Sequence, residues 1–506
     1  MPETITGFDP FTTGALYSQH SDRWQLESDV AEMTLDILEA GTYLPEFSKE
    51  EQPSDYNYRT SMSAPLDICR DAIRIRMDNM WRAPVNRDVK PTSPHRAMIE
   101  ELIADADGNG TSLDDFMRQV AWNYYVTGCD IIAQVTRAPE GVEIKTEADR
   151  RTHKIKPYFS QFVPLDRYDW ACDGSRNFLW ARYCLGTMPP EDERGPRTET
   201  TTRFLTLTRE EWRIYQATRL ASDPQGPPTV TLEGSGAYNL GRPPIIKCYF
   251  SESSKSGQAG VPVSLLSRPA VIAKLLLNVK SQADTDLIAA VPRWLLTGAG
   301  PEDTIGAYGP GVLVKLGNPN AKMEVVQGDV NHIAEKRAWV NLYIGEILRL
   351  LKFRGGMAEI EAQAGSGLKL AIERTDLDNE LRATASFLEQ TELEMMRQAV
   401  SLATGTVIPA KDAAEILGYD VRYNRDFVLE SVGQMLENIS TLLGKCGTVA
   451  DEVPELVREM LRQLKNALVR EGTDAAEQID KEIDAASFDG AAGEVISESD
   501  KEVEEE

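Results

Sequence analysis

Histidine is scarce in this sequence: four residues, His20, His95, His153 and His332, each isolated, among 506. A histidine-based metal site or catalytic triad therefore has little to draw on. Six cysteines (Cys69, Cys129, Cys172, Cys184, Cys248 and Cys446) form no CxxC pair. They are expected to be buried free thiols in a reducing compartment, with a disulfide or a reactive thiol as the alternative. No apolar run reaches the ~18–20 residues that a membrane span requires. The start, MPETITGFDPF, lacks a basic stretch followed by an apolar one, so no secretory signal is expected. Phosphate-binding loops of the GxxxxGK[ST] and GxGxxG types are missing, as is GxSxG, so ATPase, dinucleotide and serine-hydrolase chemistry have no starting point.

What the chain does have is acid. The net charge is −26, and residues 471–506 alone hold fourteen Asp and Glu against two Lys. That tail is poor in apolar groups and is expected to be disordered in isolation. The remaining body is mildly acidic, which argues against tight wrapping of nucleic acid but suits a surface that DNA slides past. At 506 residues several domains are expected.

Periodicity divides the chain into helical and extended regions. A helix is expected over about 21–40 after a flexible start, and another over 64–82 with Leu66, Cys69, Ile73, Met77 and Met80 as its buried stripe. Arg70, Arg74 and Arg76 are read as mostly off that stripe and solvated. Ser112 is placed to cap a third helix, with Leu113, Phe116, Met117, Val120 and Tyr124 facing inward and Gly128 ending it. From 155 to 220 the period shortens to that of antiparallel strands separated by turns. Residues 263–290 read as helix, with Pro269 as a kink or as the true first turn. Three short strands follow, Trp294–Thr297, Val312–Leu316 and Met323–Val326, then helices over 329–352 and 376–403, a small helix at 413–417, and helices at 429–443 and 453–469.

Two constellations invite chemistry. Asp105-Ala-Asp107-Gly-Asn109-Gly110 matches the opening of a calcium-binding loop, but Phe116 stands where a bidentate Glu belongs. Asx turns followed by a capped helix account for the same residues. Asp284/Asp286 and Glu359/Glu361 would form acid/base or metal pairs only if folding brought partners to them. Solvated or salt-bridged acids are the expectation.

The order of elements, together with LDDFMRQVAWNYYVTGCDIIAQV, FVPLDRYDW, LGRPPIIKCYF, GVPVSLLSRPAVIAKLLLNVKSQADTDLIAAVPRWLLTG and VRYNRDFV, resembles the portal proteins of tailed bacteriophages. The resemblance spans about residues 50–470 and rests on the order of weakly specific motifs. It implies an α+β portal fold with an N-terminal arm (1–50), a wing (51–262), a first stem helix (263–291), a clip (292–328) and a second stem helix (329–352). A tunnel-loop region (353–372), the wing's long helix and return (373–428), crown helices (429–470) and the acidic tail (471–506) follow. It implies a homo-oligomeric ring of about twelve subunits at the capsid's portal vertex, made in the host cytoplasm. Double-stranded DNA would pass through that ring during packaging and ejection. Implied partners are the terminase large subunit, head–tail adaptor or connector proteins, and the major capsid and scaffolding proteins, with no membrane. The family carries no catalytic residues, cofactor or metal. Arg354, Glu359, Glu361 and Lys369 are the DNA-channel candidates. Another head–tail assembly protein, or an enzyme without recognisable motifs, are the alternatives.

Overall fold

The computed structural model describes residues 4–32, 42–46, 49, 51–136, 152–153, 155–188, 199–224, 226–238, 240–289, 293–297, 322–326, 331–353, 367–425 and 427. Contacts divide the chain into two units, Met1–Arg425 and Asp426–Glu506, and the architecture below is that of the first. The helices expected at 429–443 and 453–469, the acidic tail and the strand expected at 312–316 lie outside the described residues.

The unit is α+β. Five strands, β5 (Arg167–Cys172), β6 (Phe178–Thr187), β7 (Glu199–Leu207), β8 (Glu211–Leu220) and β9 (Thr229–Ala237), run as an antiparallel meander, and β1 (Thr4–Ile5) pairs with the β9 edge. Successive side chains point to opposite faces of a strand. Leu205 and Leu207 accordingly join Trp170, Phe178, Tyr183 and Ile214 under the buried Trp24 of helix α1 (Ala15–Glu32). On the other face Phe204, Tyr215, Ala217 and Val230 form a second cluster. Phe8 and Phe11 cover it, with ring centroids 5.1 Å from Tyr215 and 4.9 Å from Phe204. The start, expected to be flexible, is thus seated on the sheet from residue 4, because two phenylalanines bury against an otherwise open apolar face. Helix α1 begins six residues earlier than expected.

Helix α2 (Pro53–Met62) was not expected from periodicity; helix α3 (Ile68–Met80) falls within the expected 64–82. Strand β2 (Asn86–Val89) and helix α4 (Arg96–Ala104) follow, then helix α5 (Leu113–Val126). In α5, Ser112 Oγ accepts from the Asp115 N–H at 3.2 Å, and the five expected stripe residues are buried. Gly128 follows the helix at φ 81°, where a Cβ would meet Pro262 and Tyr249 atoms at 2.9 and 3.0 Å. Strands β3 (Cys129–Val135), β4 (Pro157–Phe162) and β10 (Ile245–Cys248) make a three-stranded antiparallel sheet in the order β10-β3-β4. The short strands β11 (Ser251–Glu252) and β12 (Pro262–Val263) pair with each other.

Helix α6 (Pro269–Ala289) starts at its proline, where the missing N–H costs nothing and φ is already helical. It leads to strands β13 (Arg293–Thr297) and β14 (Lys322–Val326), which pair antiparallel with Trp294 opposite Val325. Helix α7 (Asn331–Leu350) returns and packs on α6. Their shared core includes Ala270, Ala273, Leu276, Ile347 and Leu351, with Ala72 and Ile73 of α3 and Tyr124 and Tyr125 of α5. Helix α8 (Gly367–Thr404) is 38 residues long, so residues 367–372, expected in a loop, are helical. Helix α9 (Ala413–Leu417) ends at Gly418 in the left-handed conformation, and β15 (Tyr419–Arg422) pairs with β2.

Candidate functional site

Of the four expected channel residues, Arg354, Glu359 and Glu361 lie outside the described residues. Lys369 is in the first turn of α8, and its side chain is likewise not described. What the structure does define is the anchorage from which the 354–366 segment departs.

That anchorage is built on Arg76, which is fully buried. Its Nε donates to Glu380 Oε1 at 3.0 Å, its Nη2 to the Leu351 carbonyl at 2.6 Å and its Nη1 to the Ala72 carbonyl at 3.1 Å. The Phe353 ring lies 4.8 Å from the guanidinium and the Tyr125 ring 5.9 Å away. Lys352 Nζ reaches Glu380 Oε2 at 2.9 Å. Tyr125 and Thr384 are hydrogen-bonded at 3.2 Å, and Thr384 Oγ1 donates back to the Glu380 carbonyl. Four elements (α3, α5, the end of α7 and α8) thus converge on one guanidinium. The expectation that Arg76 is solvated is overturned. It lies seven residues after Cys69 and four before Met80, on the buried stripe itself, and a guanidinium tolerates burial when each of its three nitrogens donates a hydrogen bond. Lys352 is left-handed at φ 59°, a costly conformation for a residue with a Cβ. It ends α7 with the Phe353 N–H donating to the Leu348 carbonyl at 2.8 Å. The chain is therefore held by charge, ring and backbone contacts at the last residue before 354.

A second buried network ties α8 to β2 and β15. Arg87 grips Glu392 with Nε at 2.7 Å and Nη2 at 3.1 Å, and both Tyr419 and Tyr423 donate their hydroxyls to the same carboxylate. Burial, then the Glu392 charge, pushes both tyrosine hydroxyls far above their usual range. Asp114 is held below the ordinary carboxylate value. Burial opposes that shift, but hydrogen bonds from Arg118, Trp81 and Arg87 outweigh it. A third network centres on Arg167, fully buried, whose Nη1 donates to Asp130 Oδ2 at 2.7 Å. The Tyr183 and Tyr249 hydroxyls donate to the same carboxylate at 2.9 and 2.6 Å. Apart from Arg167 Nε, which is buried without a hydrogen-bond partner among the described residues, these groups engage one another, and their chemistry is that of a scaffold.

A cavity of about 1150 Å³ opens between the meander, β3–β4 and the end of α8, lined in part by Tyr158, Arg203, Trp212, Tyr238 and Ser401. Its charged groups are already engaged: Arg203 with Glu233 at 2.7 Å, and Lys156 with Asp105. The Ser401 hydroxyl accepts from the Ile408 N–H at 3.1 Å. At its rim sits the Asp105–Gly110 turn. Asp107 Oδ1 accepts from the Asn109 N–H at 2.9 Å, and Asp105 Oδ1 from the Gly110 N–H at 2.9 Å. Backbone donors and Lys156 therefore occupy the carboxylates a cation would need. Among the described residues no group of three or more His, Cys, Asp or Glu is arranged to hold a metal ion. Asp284 meets Lys280 at 2.8 Å and Asp286 meets Lys336 across the α6–α7 contact, so this acidic pair is salt-bridged, as expected. Glu359 and Glu361 remain outside the described residues.

Helices α6 and α7 also expose large apolar side chains that no described residue covers. Val271 (50% exposed), Leu275 (47%), Trp339 (51%) and Leu342 (51%) are among them. Val271 and Leu275 are one turn apart, as are Trp339 and Leu342, so each pair forms a stripe. Among the described residues no helix is long and apolar enough to cross a membrane.

No family model matches the sequence, and no curated protein matches it. In three dimensions the chain is similar to a chain of the solved structure described as "Neck of empty GTA particle computed with C6 symmetry". The identity is 9%, the match covers 82% of this chain and 94% of that one, and the TM-score is 0.39. A likeness at that score identifies neither a family nor an activity; this chain is an α+β protein with remote similarity to a component of a particle neck.

Proposed function

We propose that the chain is a tailed-bacteriophage portal subunit, forming a ring of about twelve copies through which double-stranded DNA enters and leaves the capsid. The observation that carries this reading is the helix–hairpin–helix unit, α6, β13–β14 and α7, with large apolar side chains exposed along both helices. Four such residues half in water are a liability in a monomer and an asset in an assembly, because burying the exposed half of each contributes about 1 kcal/mol. In a closed ring a heterologous contact repeats until the rotation closes, so every copy buries both of its stripes. The helices α6 and α7 would be the stem and the hairpin part of the clip, the docking site for the terminase large subunit and later for adaptor or connector proteins. Major capsid and scaffolding proteins would surround the ring.

The segment after Phe353, with Arg354, Glu359, Glu361 and Lys369, would meet the DNA without sequence preference. Its firm anchorage at Arg76 suits that role, since a loop that contacts a moving duplex transmits force to whatever holds its base. The acidic balance of the chain also suits a channel in which phosphates are not retained.

Native mass spectrometry of the purified protein tests the reading. A predominant species of about twelve 56.2 kDa subunits supports it. A small closed dimer or trimer across the whole concentration range rules it out.

A further inference from the structure

We infer that Cys129 and Cys248 form an oxidisable dithiol that closes into a cross-strand disulfide, stapling β3 to β10. The two residues are far apart in sequence but stand directly opposite one another in the antiparallel register. Cross-strand partners in such a pair project to the same face of the sheet. Their Cα atoms are typically about 4.5–5.5 Å apart, within the ~4.4–6.8 Å that a disulfide bridges. Both side chains are fully buried and free, Cys129 Sγ lying 4.0 Å from the Val120 carbonyl and Cys248 Sγ 3.9 Å from the Ile246 carbonyl. The neighbouring cysteines offer a contrast. Cys172 and Cys184 are close in sequence, yet the register places Phe178 opposite Cys172 and Phe204 opposite Cys184. They do not face each other.

The Cys129–Cys248 pair is the last rung of the β3–β10 ladder, next to Gly128 and its left-handed turn. Both thiols are fully buried and burial pushes the Cys248 thiol well above its usual range, so exchange waits on local opening of that end of the ladder. Oxidation then proceeds by exchange with a small-molecule disulfide such as oxidised glutathione. One cysteine gives up its proton, and its sulfur attacks a glutathione sulfur and releases one glutathione thiolate. The second cysteine, deprotonated in turn, attacks the mixed disulfide at the protein sulfur and releases the second. Two electrons leave the protein, the two cysteine protons end on the released thiolates, and one S–S bond is gained for the one broken. In a reducing compartment the dithiol persists, and in an oxidising medium the bridge forms. Closing a loop of about 120 residues restricts the unfolded chain strongly, so the oxidised form is the more stable one. The staple forms within one subunit and is independent of ring assembly.

The test is a thiol map of the native full-length protein before and after incubation with oxidised glutathione. Samples are unfolded in N-ethylmaleimide, digested and analysed by mass spectrometry. The expected result is a single linked peptide pair containing Cys129 and Cys248, Cys172 and Cys184 both alkylated, and a Tm several degrees above that of the reduced protein. The inference is overturned if Cys129 and Cys248 remain fully alkylated after oxidation, or are linked only to other cysteines or to glutathione. C129S should abolish the Tm increase; if that variant does not fold, the wild-type peptide map decides alone.

Discussion

Arg76 and Glu380, 304 positions apart in sequence, close a buried ion pair at 3.0 Å that fixes helix α3 to the long helix α8. Lys352 and the Leu351 carbonyl join the same pair, so the base of the 354–366 segment is part of it. Removing Arg76 leaves the buried Glu380 carboxylate with only the partly exposed Lys352 as its ionic partner. Arg76→Met is expected to cost about 3–5 kcal/mol, whereas Arg76→Met combined with Glu380→Leu should recover much of that loss. Urea denaturation of the two variants and the parent checks both statements. A single variant as stable as the parent would mean that the pair does not hold the two helices.

Glu27 gives the fold a pH dependence with an unusual sign. It is buried on α1; burial pushes its carboxyl from 4.5 up to about 7, and Arg23, Ser267 and Ser264 only partly offset that. Folding therefore raises this group's affinity for protons. Its contribution is fully present below about 4.5 and is lost as pH rises to about 7. The shift corresponds to roughly 3 kcal/mol. Glu27→Gln should flatten the stability profile across that window and leave the variant the more stable protein at pH 8, as measured by thermal melts at several pH values.

The exposed stripes on α6 and α7 should matter for assembly and not for folding. Trp339→Glu and Leu342→Glu place charge where half of each side chain is already in water, and Trp339→Glu also loses the Tyr343 ring contact at 5.9 Å, so monomer stability should fall by only about 1 kcal/mol. Assembly should fall sharply, because like charge is introduced into every interface at once. Sedimentation velocity reads assembly and circular dichroism reads folding.

The Asp105–Gly110 turn should be indifferent to calcium. Its carboxylates accept from the Asn109, Gly110 and Thr111 N–H groups, and Lys156 pairs with Asp105. Millimolar calcium is expected to leave Tm unchanged. A saturable rise that Asp107→Ala removes would contradict this.

Helix α5 was legible in the sequence because everything that makes it is local: the Ser112 cap, the inward stripe and the Gly128 stop. Strands β5 to β8 of the meander were legible for the same reason, since alternation and turn residues lie within a few positions of one another, whereas β9 (Thr229–Ala237) lies beyond the 155–220 stretch expected to be extended. Pro269 as a first turn follows from backbone chemistry alone. The hub was not legible, because Arg76 looks like any arginine on an amphipathic helix until Glu380 arrives from another part of the chain. Its position on the Cys69–Met80 stripe was the one available signal. The seating of Phe8 and Phe11, and the opposition of Cys129 to Cys248, depend on sheet pairing that no local spacing reveals. Arg354, Glu359 and Glu361 lie outside the described residues, so the channel assignment stands on the proposal.

End-on electron microscopy of the full-length protein distinguishes a channel-forming ring from any other assembly. Closed rings of about twelve subunits with a central channel wide enough for B-form DNA are expected, and Trp339→Glu should abolish them. Compact particles of low symmetry without a channel, unchanged by Trp339→Glu, would contradict the portal reading.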